Sequence, residues 1–224
     1  MPDKLITKIK KLPELKRVRQ KTGSYCGPAV LEMLVSNLGL ELNQESLVDA
    51  SGGREVIMKE GASLPSMSYG LKRLYPDLRV WKMNEAKIDD LQVLLEKGYY
   101  VAVDWQGIFY KDEYGDELWN STNKIADWLK KIKHEPEAIG YEGHYCVVLE
   151  ININKGYLRF ADPYGEFATR DRFVAIGEFE TRWWDDRLAM DSTGKKVRVV
   201  ENRLLFVVTE KEDKIPEELG LVEI

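Results

Sequence analysis

"HYCVVLEININKGYLRFADPYG", residues 144–165, reads as two strands joined by a turn. His144 to Ile151 is an apolar, β-branched run, and Tyr157 to Ala161 is aromatic and apolar. Between them Asn152, Asn154 and Gly156 supply turn chemistry. A strand that turns near Asn154 returns residue 162 to the end where it began, so Asp162 should land close to His144. Whether the two side chains share a face depends on the turn register, which the residues alone leave open. His144 is expected to open its strand and so to sit at the rim of a sheet.

Further strands are expected at "YYVAVDW" (99–105), "KKVRVV" (195–200) and "RLLFVV" (203–208). The first hundred residues have a different period. After Cys26, the residues Val30, Leu31, Leu34, Val35 and Leu38 fall at helical spacing, and Gly39 supplies a stop. Pro28 fits because the first helical turn has no amide partners to lose. Asn43 is placed to cap a short helix carrying Leu47 and Val48. "GASLPSMSYGLKRLYP" (61–76) predicts another helix, with Met67, Leu71 and Leu74 inward. "EAKIDDLQVLLEKG" (85–98) predicts a fourth, with Ile88, Leu91, Leu94 and Leu95 on one face and Gly98 as its end. Helices before strands, with hairpin-style connections, indicate the α+β class and a largely antiparallel sheet.

No repeat, low-complexity tract or Gly/Ser linker interrupts the chain, so one domain over residues 1–224 is expected. The polar stretch 106–143 stands out as an insertion. It carries one helical stripe, Ile125, Trp128, Leu129 and Ile132, and could form a lid over a cleft. The N-terminal twenty residues are locally basic, with Leu5, Ile6, Ile9 and Leu12 at helical spacing. They read as a short surface helix, packed on the domain or touching an acidic partner.

A net charge of -5 argues against general nucleic-acid binding. No apolar run reaches the length of about 18 residues that a membrane span needs. The N-terminus lacks the continuous apolar centre of a secretion signal, so a cytoplasmic location is expected. Two cysteines cannot build a disulfide scaffold. There is no C-x-x-C and no H-E-x-x-H, so neither metal nor cofactor is expected.

Cys26, in "SYCGPAVLEML" (24–34), stands at a helix start, where the partial positive charge of the helix end favours a thiolate. A nucleophile there needs a base and a group to orient that base. Of the two histidines, His134 lies among charges in the insertion, and His144 begins the hairpin. Asp162, just before Pro163, could accept from the His144 ring and fix its tautomer. The Cys26 backbone N–H and the side-chain amide of Gln20 are candidate donors to an oxyanion. The competing reading of Cys26 is plain packing, since cysteine is among the most buried residue types. Cys146, two residues past His144 and on the same strand face, reads as core. Trp105, Trp119, Trp128, Trp183 and Trp184 are candidates either for a peptide groove or for packing.

The motifs Q-x5-C-G-P-A at Gln20–Ala29, G-H-Y-x-V-V-L at 143–149 and D-P-Y-G at 162–165 resemble those of papain-like cysteine peptidases. The resemblance is to the bacteriocin-processing, double-glycine-leader type, and within it to the stand-alone branch that carries no transporter. It extends from about Gln20 to Trp184. "ELNQESLVDA", "LLEKGYYVAVDW" and "EFETRWW" fall in the family's order, whereas Tyr25 occupies a position often acidic in the processing enzymes. The resemblance implies a papain-like fold with N-terminal helices packed on a C-terminal antiparallel sheet. It implies Cys26 as nucleophile, His144 as base, Asp162 as its orienter and Gln20 as oxyanion donor. The expected activity is hydrolysis of a peptide or other amide bond. Acyl or peptidyl transfer from the same nucleophile, and peptide binding without turnover, are the two rivals.

Overall fold

The computed structural model describes residues 12–110, 138–190, 195–213, 215 and 219–224. Five α-helices and one strand come first: α1 (Cys26–Asn37), α2 (Gln44–Ala50), α3 (Arg54–Glu60), α4 (Leu64–Leu74), β1 (Leu78–Met83) and α5 (Ile88–Glu96). Then follow β2 (Val101–Tyr110), β3 (Ala138–Asn152), β4 (Tyr157–Ala161), a 3-10 turn at Gly165–Ala168, β5 (Arg172–Ala175) and α6 (Ile176–Arg182). The chain ends with β6 (Trp184–Met190), β7 (Lys196–Asn202), β8 (Leu205–Glu210) and β9 (Val222–Glu223). Seven strands form one sheet in the order β5-β4-β3-β2-β8-β1-β9, and every pairing in it is antiparallel. β6 and β7 form a separate hairpin.

The sheet is covered on both faces, which explains the unbroken apolar runs in its central strands. Ala102, Tyr145, Val147, Ala161 and Phe206 face α1, α2 and α4 through Leu31, Leu34, Leu47, Met67 and Leu71. Their strand neighbours Val103, Trp105, Cys146, Val148, Phe160 and Leu205 face α5 and α6 through Leu91, Leu94 and Phe179. Period-2 alternation thus divides each central strand between two cores. The helices are therefore not all on one side, and β1 interrupts the helical half at Leu78–Met83.

The local chemistry matches the spacing for most of the helical half. Gly39 (φ +79°) and Gly98 (φ +91°) adopt the left-handed conformation that ends α1 and lies just past α5. Asn43 accepts from the Glu45 amide and caps α2. Met67 and Leu71 are buried as expected, but Leu74, at the last turn of α4, is 38% exposed. Of the basic N-terminal stretch, residues 1–11 lie outside the described residues, and 12–20 run without helix. The expected helix at Ile125–Ile132 also lies outside them.

β2 continues to Tyr110 and β3 already begins at Ala138, paired from Val101↔Val148 out to Tyr110↔Ala138. His144 therefore lies inside a strand, opposite Trp105, and not at its start. Gly140, Glu142 and Gly143 have low strand propensity, and pairing with β2 holds them extended. Gly143 has a packing reason too: a Cβ there would meet the Asp185 carboxylate of β6 at 2.1 Å.

Candidate active site

The loop before α1 is stapled from several directions. The Lys21 amide donates to Gln44 Oε1 at 3.0 Å, while Gln44 Nε2 donates to the Arg19 carbonyl at 3.0 Å. Ser24 Oγ donates to the Met58 carbonyl at 3.0 Å, and the Tyr25 amide reaches the Thr22 carbonyl at 3.2 Å. Tyr25 is buried and its hydroxyl contacts Glu45 and Arg54, each at 3.3 Å. α1 then starts at Cys26 with no side-chain cap and no acidic residue in its first turn. Gly27 lets this end approach the sheet, since a Cβ there would meet Met67 Sδ at 2.5 Å and the Tyr145 ring at 3.2 Å.

Gln20 sits in this loop, buried, and its backbone N–H donates to the Pro163 carbonyl at 2.9 Å. That bond ties the approach to Cys26 to the turn that carries Asp162. The Gln20 amide itself donates to the carbonyls of Thr22 (2.8 Å) and Gly23 (3.1 Å), inside its own loop.

The hairpin brings its two ends together as the turn at Asn154 requires. Val147 opposes Ala161, a bulge intervenes between Val148 and Glu150, and His144 Nε2 meets Asp162 Oδ1 at 2.8 Å. Both side chains are buried. Asp162 Oδ1 also accepts from the Tyr164 amide at 2.8 Å, and Oδ2 accepts from Arg172 Nη1 at 2.5 Å. Arg172 is fully buried, its guanidinium 5.0 Å from the Trp105 ring centre and 5.1 Å from that of Phe167. The Tyr164 ring stands edge-on to the imidazole, with centroids 6.3 Å apart.

Burial alone would raise the Asp162 carboxyl, but His144 and Arg172 outweigh it and hold it well below the usual carboxylate range. Burial likewise opposes the imidazolium of His144. Asp162 and then Cys146 reverse that effect and raise it well above an ordinary histidine. With Asp162 ionised, Nε2 carries the ring proton of the neutral imidazole and donates it to the carboxylate.

Cys146 shares the strand face of His144, with its sulfur within 4.8 Å of the imidazole and carboxylate donor atoms, and its thiol is raised by burial. The Cys26 thiol packs in the core on the α1 face, close enough to Asp104 and Tyr145 for charge on it to raise both groups. Asp104 is buried, bonded to Tyr145, and raised well above a normal carboxyl by burial and then by Asp185 and Cys26. Asp185, on β6, accepts from Gln106 Nε2 at 2.7 Å and is pushed up to about 6 by burial. Glu201 adds a third carboxyl, with Lys82 Nζ 3.9 Å away.

Among the described residues, His144, Cys146 and Asp162 offer metal-type donor atoms within 4.8 Å of one another. The Arg172 guanidinium already holds the carboxylate there, and a cation beside that fixed charge is disfavoured. Trp105 and Trp183 are core residues, Trp184 is 37% exposed, and Trp119 and Trp128 lie outside the described residues. Sequence reasoning missed Arg172, Asp104 and Gln44. Nothing in the sequence marked Arg172: its place follows from strand pairing, which sets it opposite Phe160, two residues from Asp162. No helix among the described residues is long and apolar enough to cross a membrane.

Solved structures share this fold at low identity. The peptidase domain of Streptococcus ComA, a bi-functional ABC transporter, is 17% identical, with a TM-score of 0.50 over 88% of this chain and 99% of that one. A double glycine motif protease from an AMS/PCAT transporter, solved with the leader peptide, is 11% identical, with a TM-score of 0.50 over 90% of this chain and 95% of that one. A C39-like peptidase from Bacillus anthracis is 12% identical, with a TM-score of 0.52 over 88% and 96%. No curated protein matches the sequence. The family model described as Peptidase_C39 like matches residues 13–187, from the stapled loop through the hairpin to β6, and the chain belongs to that family.

Proposed function

We propose that this protein is a cysteine-dependent hydrolase acting on a peptide or another amide. Cys26 attacks the acyl carbon as thiolate, and an acyl-enzyme forms as the amine leaves. His144 protonates that amine, then takes a proton from the water that releases the acid. Asp162 orients the imidazole, and the Cys26 backbone N–H and Gln20 receive the oxyanion. The observation that carries this reading is the buried His144–Asp162 bond of 2.8 Å, in a chain of the Peptidase_C39 like family. For Gln20 to act, its amide must exchange the Gly23 carbonyl, 3.1 Å away, for the substrate oxygen.

That same bond favours a second reading, in which the fold binds a peptide without cleaving it. A donor engaged inside its own loop suits a site that holds its ligand and does no chemistry. A peptide library incubated with wild type and with Cys26→Ala, and read by mass spectrometry, separates the two. Cleavage lost in Cys26→Ala supports the hydrolase, whereas retention of intact peptides by both proteins supports the binding module. Added glycinamide tests transfer: amide-extended products in place of free acids would reassign the enzyme as a transferase.

A further inference from the structure

We propose that Arg172 is a positioning residue that lets His144 exchange its proton, by balancing the charge of Asp162 from the other side. The inference rests on the reading of His144 as the acid–base group. Asp162 offers one oxygen to His144 Nε2 at 2.8 Å and the other to Arg172 Nη1 at 2.5 Å. All three side chains are buried, with Arg172 and Asp162 at 0% side-chain exposure.

Charge counting gives the argument. An imidazole beside a buried lone carboxylate is trapped as imidazolium, because losing the proton leaves an uncompensated negative charge away from water. With Arg172 present, loss of the His144 proton leaves the group neutral, and gain of it leaves a single positive charge. Both states are then within reach during a catalytic cycle. Among the described residues, Asp162 bonds the ring, Cys146 lies beside it, Tyr164 stands edge-on to it and Arg172 bonds the far oxygen of Asp162; of these four only Arg172 is a fixed cation. The guanidinium plane lies over the Trp105 and Phe167 rings at 5.0 and 5.1 Å from their centres. A lysine would keep the charge and lose that plane.

The test reads proton exchange directly and needs no substrate, so it stays informative if the hydrolase reading fails. Only two histidines exist, and His134→Gln assigns their NMR signals. In Arg172→Met, His144 should stay protonated to a pH higher than in wild type by about one unit or more, about a tenfold change in its protonation constant. Arg172→Lys should keep most of the wild-type titration. A folded Arg172→Met with the wild-type midpoint overturns the proposal. Should Arg172→Met not fold, the same charge is read without the carboxylate. Asp162→Asn should lower the His144 midpoint by about one unit or more, and Asp162→Asn with Arg172→Met should bring it back up. Equal midpoints in those two variants overturn it equally.

Discussion

β3 separates two polar groups of opposite character. On the face toward α5 and α6, His144, Asp162 and Arg172 carry both signs of charge, and each carboxylate oxygen has a charged partner. On the face toward α1, Tyr145 and Asp104 lie near the Cys26 thiol, and the further charges bearing on Asp104 are those of Asp185 and Glu201. Burial lowers neither cost in itself. The balanced group keeps its carboxylate ionised, whereas the acidic surroundings push Asp104 and Asp185 toward the neutral form. Adjacent residues of one strand, His144 and Tyr145, thus belong to two titrating systems. A working thiol must draw on the first while standing in the field of the second.

The largest effect should come from the two cysteines, which the faces treat differently. Cys26→Ala should lower turnover of a peptide substrate by about 10⁴-fold or more, while Cys146→Ala keeps most of it. Comparable losses in both would move the nucleophile to the His144 face.

Next comes the balanced group. Asp162→Ala leaves Arg172 buried without its carboxylate, and thermal or urea unfolding should show a loss of about 3–5 kcal/mol. The pH dependence has a definite sign. Asp162 is depressed in the fold, so its contribution is present above its unfolded value of about 3.9 and is lost as pH falls toward the folded value. His144 is raised, so its contribution is full below about 6.5 and is lost as pH rises through its folded value. The stability gap between wild type and His144→Gln should therefore be widest near pH 4 to about 6.5 and narrow on either side. A gap that grows at alkaline pH would contradict the assignment.

Gln20→Ala should slow turnover by about 10²–10³-fold if the amide reaches the oxyanion. The two loop hydrogen bonds alone predict only a stability loss of about 1–3 kcal/mol, so rate and unfolding together separate the roles.

The smallest effect belongs to the acidic group. Asp104 and Asp185 are raised, so they weaken the fold as pH climbs from about 3.9 toward their folded values. Asp104→Asn keeps an acceptor for Tyr145 and should stabilise by about 1 kcal/mol at pH 8, less at pH 5. Destabilisation at pH 8 would mean that the carboxylate has a partner it needs.

The residues that sequence reasoning could place were those governed by local rules. Helix α1, the Asn43 cap and the β3–β4 turn follow from spacing and turn chemistry, and so does the return of residue 162 to the His144 end of the hairpin, while the facing of the two side chains needed the register. What escaped depends on distant pairing. β5 is four residues long and announces itself only by its partners on β4, so Arg172 had no signature. β1 joined the sheet through β8, more than a hundred residues away. Polar Gly140–Gly143 became strand because β2 lies beside it. The facing of side chains was legible in part: alternation put Cys146 with His144, but the contact between them, and Asp104 near Cys26, needed the packed sheet.

The central claim is that Cys26 is an activated thiol served by His144, and alkylation mapped by mass spectrometry tests it most directly. Iodoacetamide should label Cys26 in the folded protein and spare Cys146, which is fully buried against 8% exposure for Cys26. His144→Ala should slow Cys26 labelling at pH 6 by about tenfold or more, because the imidazolium that favours the thiolate is gone. Cys26 resisting until the protein unfolds, or labelling at the same rate without His144, would contradict the account and leave Cys26 as a packing residue.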